Sequence, residues 1–374
     1  MPRVRYHSVK PQSEQDTYTS SNKPGFLISC GVGRSLVPNS VRILADLRVL
    51  SDSSVSTSIS TEMRCFDRNL GGHAFIDTLN VNFSNLGSIE ENTNYARYVG
   101  MDAIASKNEY DMLNSSNACE LRGVTQKYMT DLAQGIAPAL TTGTPVTLDA
   151  DFSLKPLCCL NKMDARVNGL PMARTGIIRL NIVLADNLDA IFGQKADINC
   201  GYELRNLRCH FKSVPDSKTP EEVTMGIVHD FKSNLLSNEA TISTNVAAMC
   251  DSVAINFIQN QHESVPVYNS NKMENVQGLE QIQYLFNSQS NSLVTYPILD
   301  RTEMLQRFIE AMDAGGHNQV SIDKYRANAG FAVGLKFDEQ IDLRNNVFTL
   351  QLASTVDQNY PVNCFMYFFS RRVV

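Results

Sequence analysis

The sequence predicts an all-β protein with a few short helices, folded as two consecutive eight-stranded jelly rolls. Apolar and polar residues alternate in many short runs, which is the period of half-buried strands. Turn-forming residues separate these runs, as expected for antiparallel sandwiches. The same order of strands and one amphipathic helix occurs twice in the 374 residues, which indicates an internal repeat.

The clearest strand pattern closes the first half of the chain, in residues 176–211. Apolar side chains occupy every second position from Ile178 to Leu184, and mostly polar side chains lie between them. Near Asn206 the apolar phase of the second closing strand slips by one residue, which predicts a β-bulge. Residues 345–369 repeat this arrangement, so both halves are predicted to close with the same two strands.

The last of these strands, 362–369, is apolar on both faces. A strand with two apolar faces must be covered on both sides. We therefore expect one face to meet its own core and the other to meet a neighbouring barrel or chain. The strand before it alternates instead, with Phe348, Leu350 and Leu352 on the predicted core face.

The first half also contains a predicted helix at 89–106, where apolar residues recur at every fourth position. Ser88 and Glu91 have the spacing of a capping box, and the pair Glu90 and Glu91 is predicted to stabilise the helix N-terminus. The other elements of this half are predicted as strands at 25–30, 41–49, 55–66, 73–83 and 146–154 and a short helix at 124–134.

In the second half, Asp300 and Glu303 are predicted to cap a helix. Its apolar stripe consists of Met304, Leu305, Phe308, Ile309 and Met312. The strands of this half are predicted at 223–229, 240–249, 253–259, 278–286, 292–298 and 331–337, followed by the two closing strands.

This pattern divides the chain into four parts. A segment rich in proline and charge, with almost no apolar residue, separates the two halves and predicts a linker. The polar N-terminus is predicted to be an extended arm, which contacts a neighbour or an anionic layer, or is frayed. The predicted parts are an arm at 1–24, a first jelly roll at 25–212, a linker at 213–222 and a second jelly roll at 223–374.

Composition excludes several classes of protein. The net charge of −6 argues against a surface whose main role is to grip nucleic acid. The chain has no run of about 18 apolar residues that could span a membrane, and no apolar stretch of a secretory signal follows its basic N-terminus. The nine cysteines include no CxxC pair, which indicates reduced thiols made in a cytoplasm.

No pattern in the sequence predicts catalysis. The GVGRS stretch at 31–35 lacks the lysine of a P-loop and is interpreted as a turn. The six histidines do not occur at the spacing of a helical metal site, and His210 lies on the polar face of its strand. Cys158 and Cys159 have no nearby histidine. We therefore predict no catalytic, cofactor-binding or metal-binding residues, and no enzymatic activity.

Four stretches resemble the double jelly-roll major capsid proteins of tailless icosahedral viruses, and the length resembles the smaller, phage-type members. None of the four is a catalytic signature, and their order in the chain is that of the family. The stretches are LVPNSVRILADLRV at 36–49, NFSNLGSIEENTNYARYV at 82–99, GIIRLNIVLADNLDAIFG with YELRNLRCHF at 176–211, and NNVFTLQLASTVDQNYPVNCFMYFF at 345–369.

The resemblance implies a major capsid protein, made in the host cytoplasm and located in the virion. It implies homotrimeric, pseudo-hexagonal capsomers that tile the shell, with six barrels around one axis. The partners implied are further copies of the chain and minor capsid or penton proteins. The N-terminal arm is expected to contact an internal membrane or the genome, and neither a cofactor nor a small-molecule substrate is expected.

Two other functions remain open at this point. A β-sandwich binding protein, such as a receptor or carbohydrate-binding protein, would expose aromatic side chains on a platform. This chain has no tryptophan, and most of its other aromatic residues lie in strand or helix stripes that core packing explains. A cupin-like enzyme would need a cluster of histidine and carboxylate ligands inside a barrel, which the scattered histidines do not supply.

Overall fold

The computed structural model describes most of the chain. The described residues are 4–51, 64–67, 69–106, 119–122, 147–164, 169–193, 200–217, 222–312, 325, 330–355 and 361–374. The predicted short helix at 124–134 and all but the end of the predicted strand at 55–66 lie outside these ranges.

Twenty-one strands and four α-helices are defined by the backbone hydrogen bonds of these residues. The strands of the first half are β1 (Arg5–Val9), β2 (Thr17–Tyr18), β3 (Gly25–Ile28), β4 (Arg34–Leu36), β5 (Arg42–Ser51), β6 (Arg64–Cys65), β7 (Ile76–Phe83), β8 (Gly87–Asn92), β9 (Thr147–Leu154), β10 (Leu170–Pro171), β11 (Ile178–Leu184), β12 (Phe192–Gly193) and β13 (Cys200–Pro215). Those of the second half are β14 (Thr224–Leu235), β15 (Glu239–Thr244), β16 (Met249–Gln259), β17 (Leu279–Phe286), β18 (Ser288–Ser292), β19 (Ala332–Asp342), β20 (Phe348–Ser354) and β21 (Val362–Val373). The helices are α1 (Tyr95–Ser106), α2 (Met172–Thr175), α3 (Asn187–Ala190) and α4 (Arg301–Ala311).

The first barrel is a jelly roll of two facing four-stranded layers. Its eight main strands are β1, β3, β5, β7, β8, β9, β11 and β13. One layer has the order β1-β13-β5-β9 and the other the order β3-β11-β7-β8. When the eight main strands are numbered in chain order, the first layer contains strands one, eight, three and six. The second layer contains strands two, seven, four and five. The short strands β2, β4 and β10 extend the first layer.

The second barrel repeats this order without an extra strand. One layer is β14-β21-β16-β19 and the other is β15-β20-β17-β18. Each barrel again has its longer helix between the fifth and sixth strands, which are β8 and β9 for α1 and β18 and β19 for α4. The predicted repeat of eight strands and one helix is thus present in the structure. The two strands that close each barrel lie in opposite layers.

A single long sheet connects the barrels. It has eight strands in the order β3-β11-β7-β8-β14-β21-β16-β19, so one layer of each barrel belongs to it. The connection is a parallel pairing of β8 with β14, at Glu91 and His229. The remaining layer of each barrel packs against its own half of this sheet.

Two separate hydrophobic cores result. The first consists of buried residues between Tyr18 and Ile227, most of them in strands, and the second contains most buried apolar residues from Val228 to Phe368. Helix α1 contributes to both, because Tyr95 and Val99 pack into the first core and Tyr98 packs into the second. Along β14, Ile227 packs in the first core and Val228 packs in the second.

Several local predictions agree with the structure. The register of β13 against β5 shifts between Arg205 and Arg208, and Asn206 has a φ of 49°, which is the predicted bulge. The Asp300 side chain accepts the N–H of Thr302 and caps α4. Strand β20 alternates buried and partly buried residues along its whole length.

Three local predictions need correction. Helix α1 begins at Tyr95, because residues 87–92 form β8 and the capping box of Ser88 and Glu91 does not exist. The strand predicted at 292–298 lies at Ser288–Ser292. These segments are short, and pairing with the preceding strand, β7 for β8 and β17 for β18, decides their conformation over local propensity.

The N-terminal arm also needs correction. Residues 5–9 form β1 and residues 17–18 form β2, and both pair with β13 of the first barrel. The first strand of this barrel therefore lies inside the predicted arm at 1–24. At the other end, β13 continues to Pro215, three residues into the predicted linker at 213–222. The rest of the division into domains stays a prediction.

Candidate functional site

The residues that the sequence suggested for chemistry have structural roles. Gly31 and Gly33 have positive φ angles in the turn between β3 and β4, as predicted for GVGRS. Cys158 and Cys159 are fully buried, and burial raises the pKa of both thiols above the usual range, so neither side chain is a thiolate nucleophile. His210 lies partly exposed on the outer face of β13, where burial and Arg208 lower its pKa.

A buried polar cluster ties residues 119–122 to the first barrel. His73 lies 2.8 Å from the Tyr95 hydroxyl through Nδ1 and 3.4 Å from the Glu120 carboxylate through Nε2. The same carboxylate accepts the N–H of Lys155 at 3.0 Å and lies 3.1 Å from Arg122 Nε. The His73 ring and the Glu120 carboxylate are bound by other members of the cluster, whereas Nη1 of Arg122 is buried without a hydrogen-bond partner. These contacts join residues 119–122 to the first barrel, which indicates an anchor for the chain segment.

The charges in this cluster fix the ionisation of Glu120. Burial by itself raises the pKa of this carboxyl group. The hydrogen bond and charge of His73, the charge of Arg122 and the N–H of Lys155 outweigh burial and hold the pKa at about 2. Among the residues whose side chains the structure describes, no three His, Cys, Asp or Glu side chains lie together as metal ligands.

The polar groups that both barrels share lie at the junction between them. We define the junction as β8, α1 and residues 155–164 of the first barrel with β14, β21 and residues 260–276 of the second. Its contacts determine how one barrel is oriented on the other. For a chain without an identified catalytic centre, this surface is the candidate functional site.

Glu90 is the buried carboxylate of the junction. Its side chain is 2% exposed and accepts two backbone N–H groups, from Cys159 at 2.5 Å and from Val228 at 3.1 Å. Burial raises the pKa of Glu90, and the nearby charge of Lys162 and the two N–H groups oppose that shift. Because Cys159 belongs to the first barrel and Val228 to the second, one side chain binds the backbone of both.

Lys162 supplies the positive charge beside this carboxylate. Its Nζ lies 4.4 Å from the ring centre of Tyr98 on α1 and 5.8 Å from that of Phe369 on β21. Burial lowers the pKa of Lys162 to about 8, although the Glu90 charge acts in the opposite direction. The ammonium group is therefore held by aromatic faces from both sides of the junction.

The N-terminus of α1 is fixed by the second barrel. Asp230 on β14 accepts the N–H of Thr93 at 3.1 Å, the hydroxyl of Thr93 at 2.6 Å and the amide of Asn94 at 2.6 Å. These donors belong to the two residues before the first helical turn, and a carboxylate beside a helix N-terminus also interacts favourably with the helix dipole. A second-barrel residue thus fixes the start of a first-barrel helix.

Arg97 extends the same helix toward residues 260–276. Its guanidinium lies 4.3 Å from the ring centre of Phe365 and 3.4 Å from the Glu263 carboxylate. Glu263 also binds Lys232 at 3.1 Å and the amide of Asn363. Burial lowers the pKa of Arg97, and Glu263 opposes the shift.

Strand β21 shows why its sequence is apolar on both faces. Phe368 packs on Phe348 in the second core, with ring centres 5.4 Å apart. On the opposite face Tyr367 lies 5.6 Å from Tyr98 and donates its hydroxyl to the Asn94 carbonyl at 2.9 Å. The covering element expected for the outer face is α1, from the neighbouring barrel of the same chain.

Sequence reasoning missed the role of Glu90. It predicted a charge that stabilises a helix N-terminus, and the structure places this side chain inside the junction. No alternation of apolar and polar residues marks 87–92 as a strand, since Ile89 is the one large apolar residue of this segment. Burial of a carboxylate in that strand could not be read from spacing, since Glu is rarely buried without a partner.

Comparisons with known proteins complete the description of the fold. No family model and no curated protein sequence matches the chain. The solved structures that it resembles include the Faustovirus major capsid protein, with a TM-score of 0.67 at 8% identity over 100% of this chain and 90% of that one. VP54 of PBCV-1 has a TM-score of 0.58 at 9% identity, over 100% and 94% of the two chains.

The major capsid protein of mavirus is also similar, with a TM-score of 0.54 at 10% identity over 98% of this chain and 86% of that one. These likenesses extend over both barrels and confirm the predicted fold, two consecutive jelly rolls. The three solved structures are of viral capsid proteins, the kind of protein that the four sequence stretches resemble.

Proposed function

We propose that the chain is a major capsid protein, located in the virion, and that three copies form a capsomer of six barrels. One observation carries the proposal. The same eight-stranded order occurs twice, and the two barrels lie side by side on one sheet. The solved structures with this fold that are named above are viral capsid proteins, which supports the same function.

The geometry favours a tile. Three chains with two similar barrels place six similar units around a threefold axis, and the outline of such a unit is close to a hexagon. Copies of one hexagonal unit can cover most of a closed shell, so one gene product suffices for its faces. The firm connection at the junction suits this role, because a tile needs a fixed angle between its barrels.

Further parts of the proposal concern activity and partners. We propose a structural role without enzymatic activity, supported by the burial of six of the seven cysteines whose side chains the structure describes and by the polar clusters whose members bind one another. Minor capsid or penton proteins would contact the assembled tiles. A contact of the N-terminus with an internal membrane or the genome would involve the few residues before β1, since β1 itself is part of the first barrel.

Sedimentation of the purified protein tests the proposal. We expect a stable species near three times the chain mass of 41.6 kDa, with larger assemblies when virion partners are added. A protein that stays monomeric at micromolar concentration, with and without those partners, would contradict the proposed function. Glycan-array binding by such a monomer would instead favour a β-sandwich binding protein.

A further inference from the structure

A small cleft lies between the two barrels at one end of the junction. In the first barrel it is lined by the first turn of α1, the start of β7 and helix α3, and in the second by residues between 263 and 271. Its volume is about 40 Å³, which is room for roughly three water molecules. We call it the junction cleft, and its charged side chains are Asp77, Arg97, Asp189 and Glu263.

Two aspartates give the junction cleft an excess of negative charge. Asp77 accepts the Thr78 hydroxyl at 3.1 Å, and Asp189 accepts the Ser264 hydroxyl at 2.8 Å. Neither carboxylate forms an ion pair with any residue that the structure describes. Partial burial raises the pKa of Asp77, the Thr78 hydroxyl opposes that shift, and the charges of Asp189 and two further aspartates add to it. A cation in the cleft would compensate these charges.

Arg97 contributes a hydrogen-bond donor to the same cleft. Its side chain is buried and its Nη2 lies 3.4 Å from Glu263, whereas Nη1 is buried and has no hydrogen-bond partner within the described part of the chain. Burial lowers the pKa of Arg97, and Glu263 and Asp189 oppose the shift, so Asp189 acts on Arg97 as well as on Asp77. A buried donor without an acceptor is costly, which points to an acceptor atom from outside the chain.

The size and the mixed charge of the cleft select the chemistry of its occupant. The described His, Cys, Asp and Glu side chains include no three that lie together as metal ligands. An inorganic anion would meet the two aspartates, and a sugar ring is larger than the cleft. An ammonium group is about the size of a water molecule and offers three donors, and an oxygen close to it would accept from Arg97.

We propose that the junction cleft binds an ammonium group whose neighbouring carbon carries a carbonyl group. The ammonium donates to Asp77 and Asp189, and the carbonyl oxygen accepts from Nη1 of Arg97. The N-terminus of a polypeptide and a free amino-acid amide share this chemistry. The inference goes beyond the proposed function, because the site lies within one chain and needs no second copy.

The location of the cleft leaves it accessible in an assembled tile. It lies where β8, β11 and β16 end and β7 begins, which is one end of the barrels. In the proposed capsomer the barrels contact one another along their sides, so their ends stay free. An occupant of the cleft would touch residues of both barrels and thereby strengthen the junction.

Three small probes test the two halves of the site separately. Glycinamide carries both groups, ethylammonium carries the ammonium alone, and acetamide carries the carbonyl alone. Calorimetric titration of the purified protein should show glycinamide binding roughly tenfold more tightly than ethylammonium, because one hydrogen bond to a charged donor is gained. Acetamide should not bind. Equal affinities for glycinamide and ethylammonium, or no saturable binding of glycinamide, would overturn the proposal.

Variants assign the binding to the named side chains. The double variant Asp77→Asn/Asp189→Asn keeps the shape of the cleft and should weaken glycinamide binding by roughly tenfold or more. Asp338→Asn, at an exposed position of β19, is the control and should bind as the wild type does. In Arg97→Lys the difference between glycinamide and ethylammonium should disappear. Circular dichroism and thermal unfolding check that each variant is folded.

Two further probes identify the source of the ligand. Trialanine amide that binds as tightly as glycinamide, and loses its affinity when its N-terminus is acetylated, would indicate a polypeptide N-terminus. Glycinamide binding without binding of the tripeptide would indicate a free amino-acid amide. Spermidine that binds more tightly than glycinamide and is lost in the double aspartate variant would indicate a polyamine and overturn the proposal, as would full affinity of that variant for glycinamide. Sedimentation tests the proposed function independently of these results.

Discussion

Glu90 shows how one residue connects the two barrels. The carboxylate is buried, yet it accepts one N–H from each barrel, so its ionised form is compensated on both sides. Buried charges are tolerated under that condition and become costly when a partner is lost. Sequence analysis was wrong about this residue, because the spacing predicted that Glu90 stabilises the N-terminus of a helix.

Replacing Glu90 tests this connection. Glu90→Ala leaves the N–H groups of Cys159 and Val228 without acceptors inside the protein, which should lower the free energy of unfolding by about 2–4 kcal/mol. Glu90→Gln keeps one acceptor oxygen and should lose less. Urea unfolding of the purified protein measures both, and an alanine variant as stable as the wild type would show that water replaces the carboxylate.

Glu120 predicts a pH dependence with a defined sign. Its pKa in the folded protein is about 2, below the ordinary 4.5, so the folded state holds its proton less tightly than the unfolded state. Its contribution to stability is therefore complete above pH 4.5 and is lost as the pH falls from 4.5 toward 2. Glu120→Gln should be less stable than the wild type at pH 7, and this difference should shrink over that range.

Unfolding of the wild type and of Glu120→Gln by denaturant at several pH values between 2 and 7 measures the difference. A constant gap between the two proteins over the whole range would contradict the assignment of the shift to Glu120.

At the scale of elements, α1 is the part of the first barrel that the second barrel holds. Thr93 and Asn94, which precede its first turn, donate to Asp230, and its side chains enter both cores. Periodicity predicted that this helix exists and failed to predict where it begins. The start depends on β8, which is a strand because it pairs with β7 and β14. Its sequence, GSIEEN, has no apolar alternation that would predict a strand.

Removing the Asp230 carboxylate should act on α1 first. Asp230→Ala should lower the free energy of unfolding by about 1 kcal/mol and increase amide hydrogen exchange in α1, since Thr93 and Asn94 lose their acceptor and the helix N-terminus loses a nearby negative charge. Asp300→Ala is the matched control, because it removes the cap of α4 within the second barrel. Faster exchange in α1 for both variants alike would argue against a specific effect of Asp230 on the start of this helix.

The closing strands were the elements best predicted from sequence. In β20 the alternation of Phe348, Leu350 and Leu352 gives the buried face, and in β21 the absence of alternation gives a strand covered on both sides. Both patterns reflect burial, because the hydrophobic effect favours apolar residues at the positions that are removed from water.

Phe348→Asp tests that phase. Phe348 is fully buried and packs on Tyr284, Phe337 and Phe368 in the second core. An ionised carboxylate at this position should therefore prevent folding and assembly. Thr349→Asp, one position along the strand on the partly exposed face, is the control and should still fold. Soluble trimers of Phe348→Asp would contradict the assigned strand phase.

At the scale of the whole molecule, the repeat was accessible to sequence analysis and the long sheet was not. The ordinal position of each strand and helix follows from local patterns, so two barrels could be predicted. The pairing of β8 with β14 and the inclusion of β1 in the first barrel could not. Strand β1 is short and its residues are mostly exposed or only partly buried, so its sequence carries little of the alternation that identifies a strand.

The central claim is that this chain supplies two equivalent barrels to a closed tile, and electron microscopy of the purified oligomer tests it most directly. Class averages along the symmetry axis should show six barrels with threefold symmetry and a nearly hexagonal outline. Averages with two barrels only, or with a ring of any other number of chains, would contradict the account.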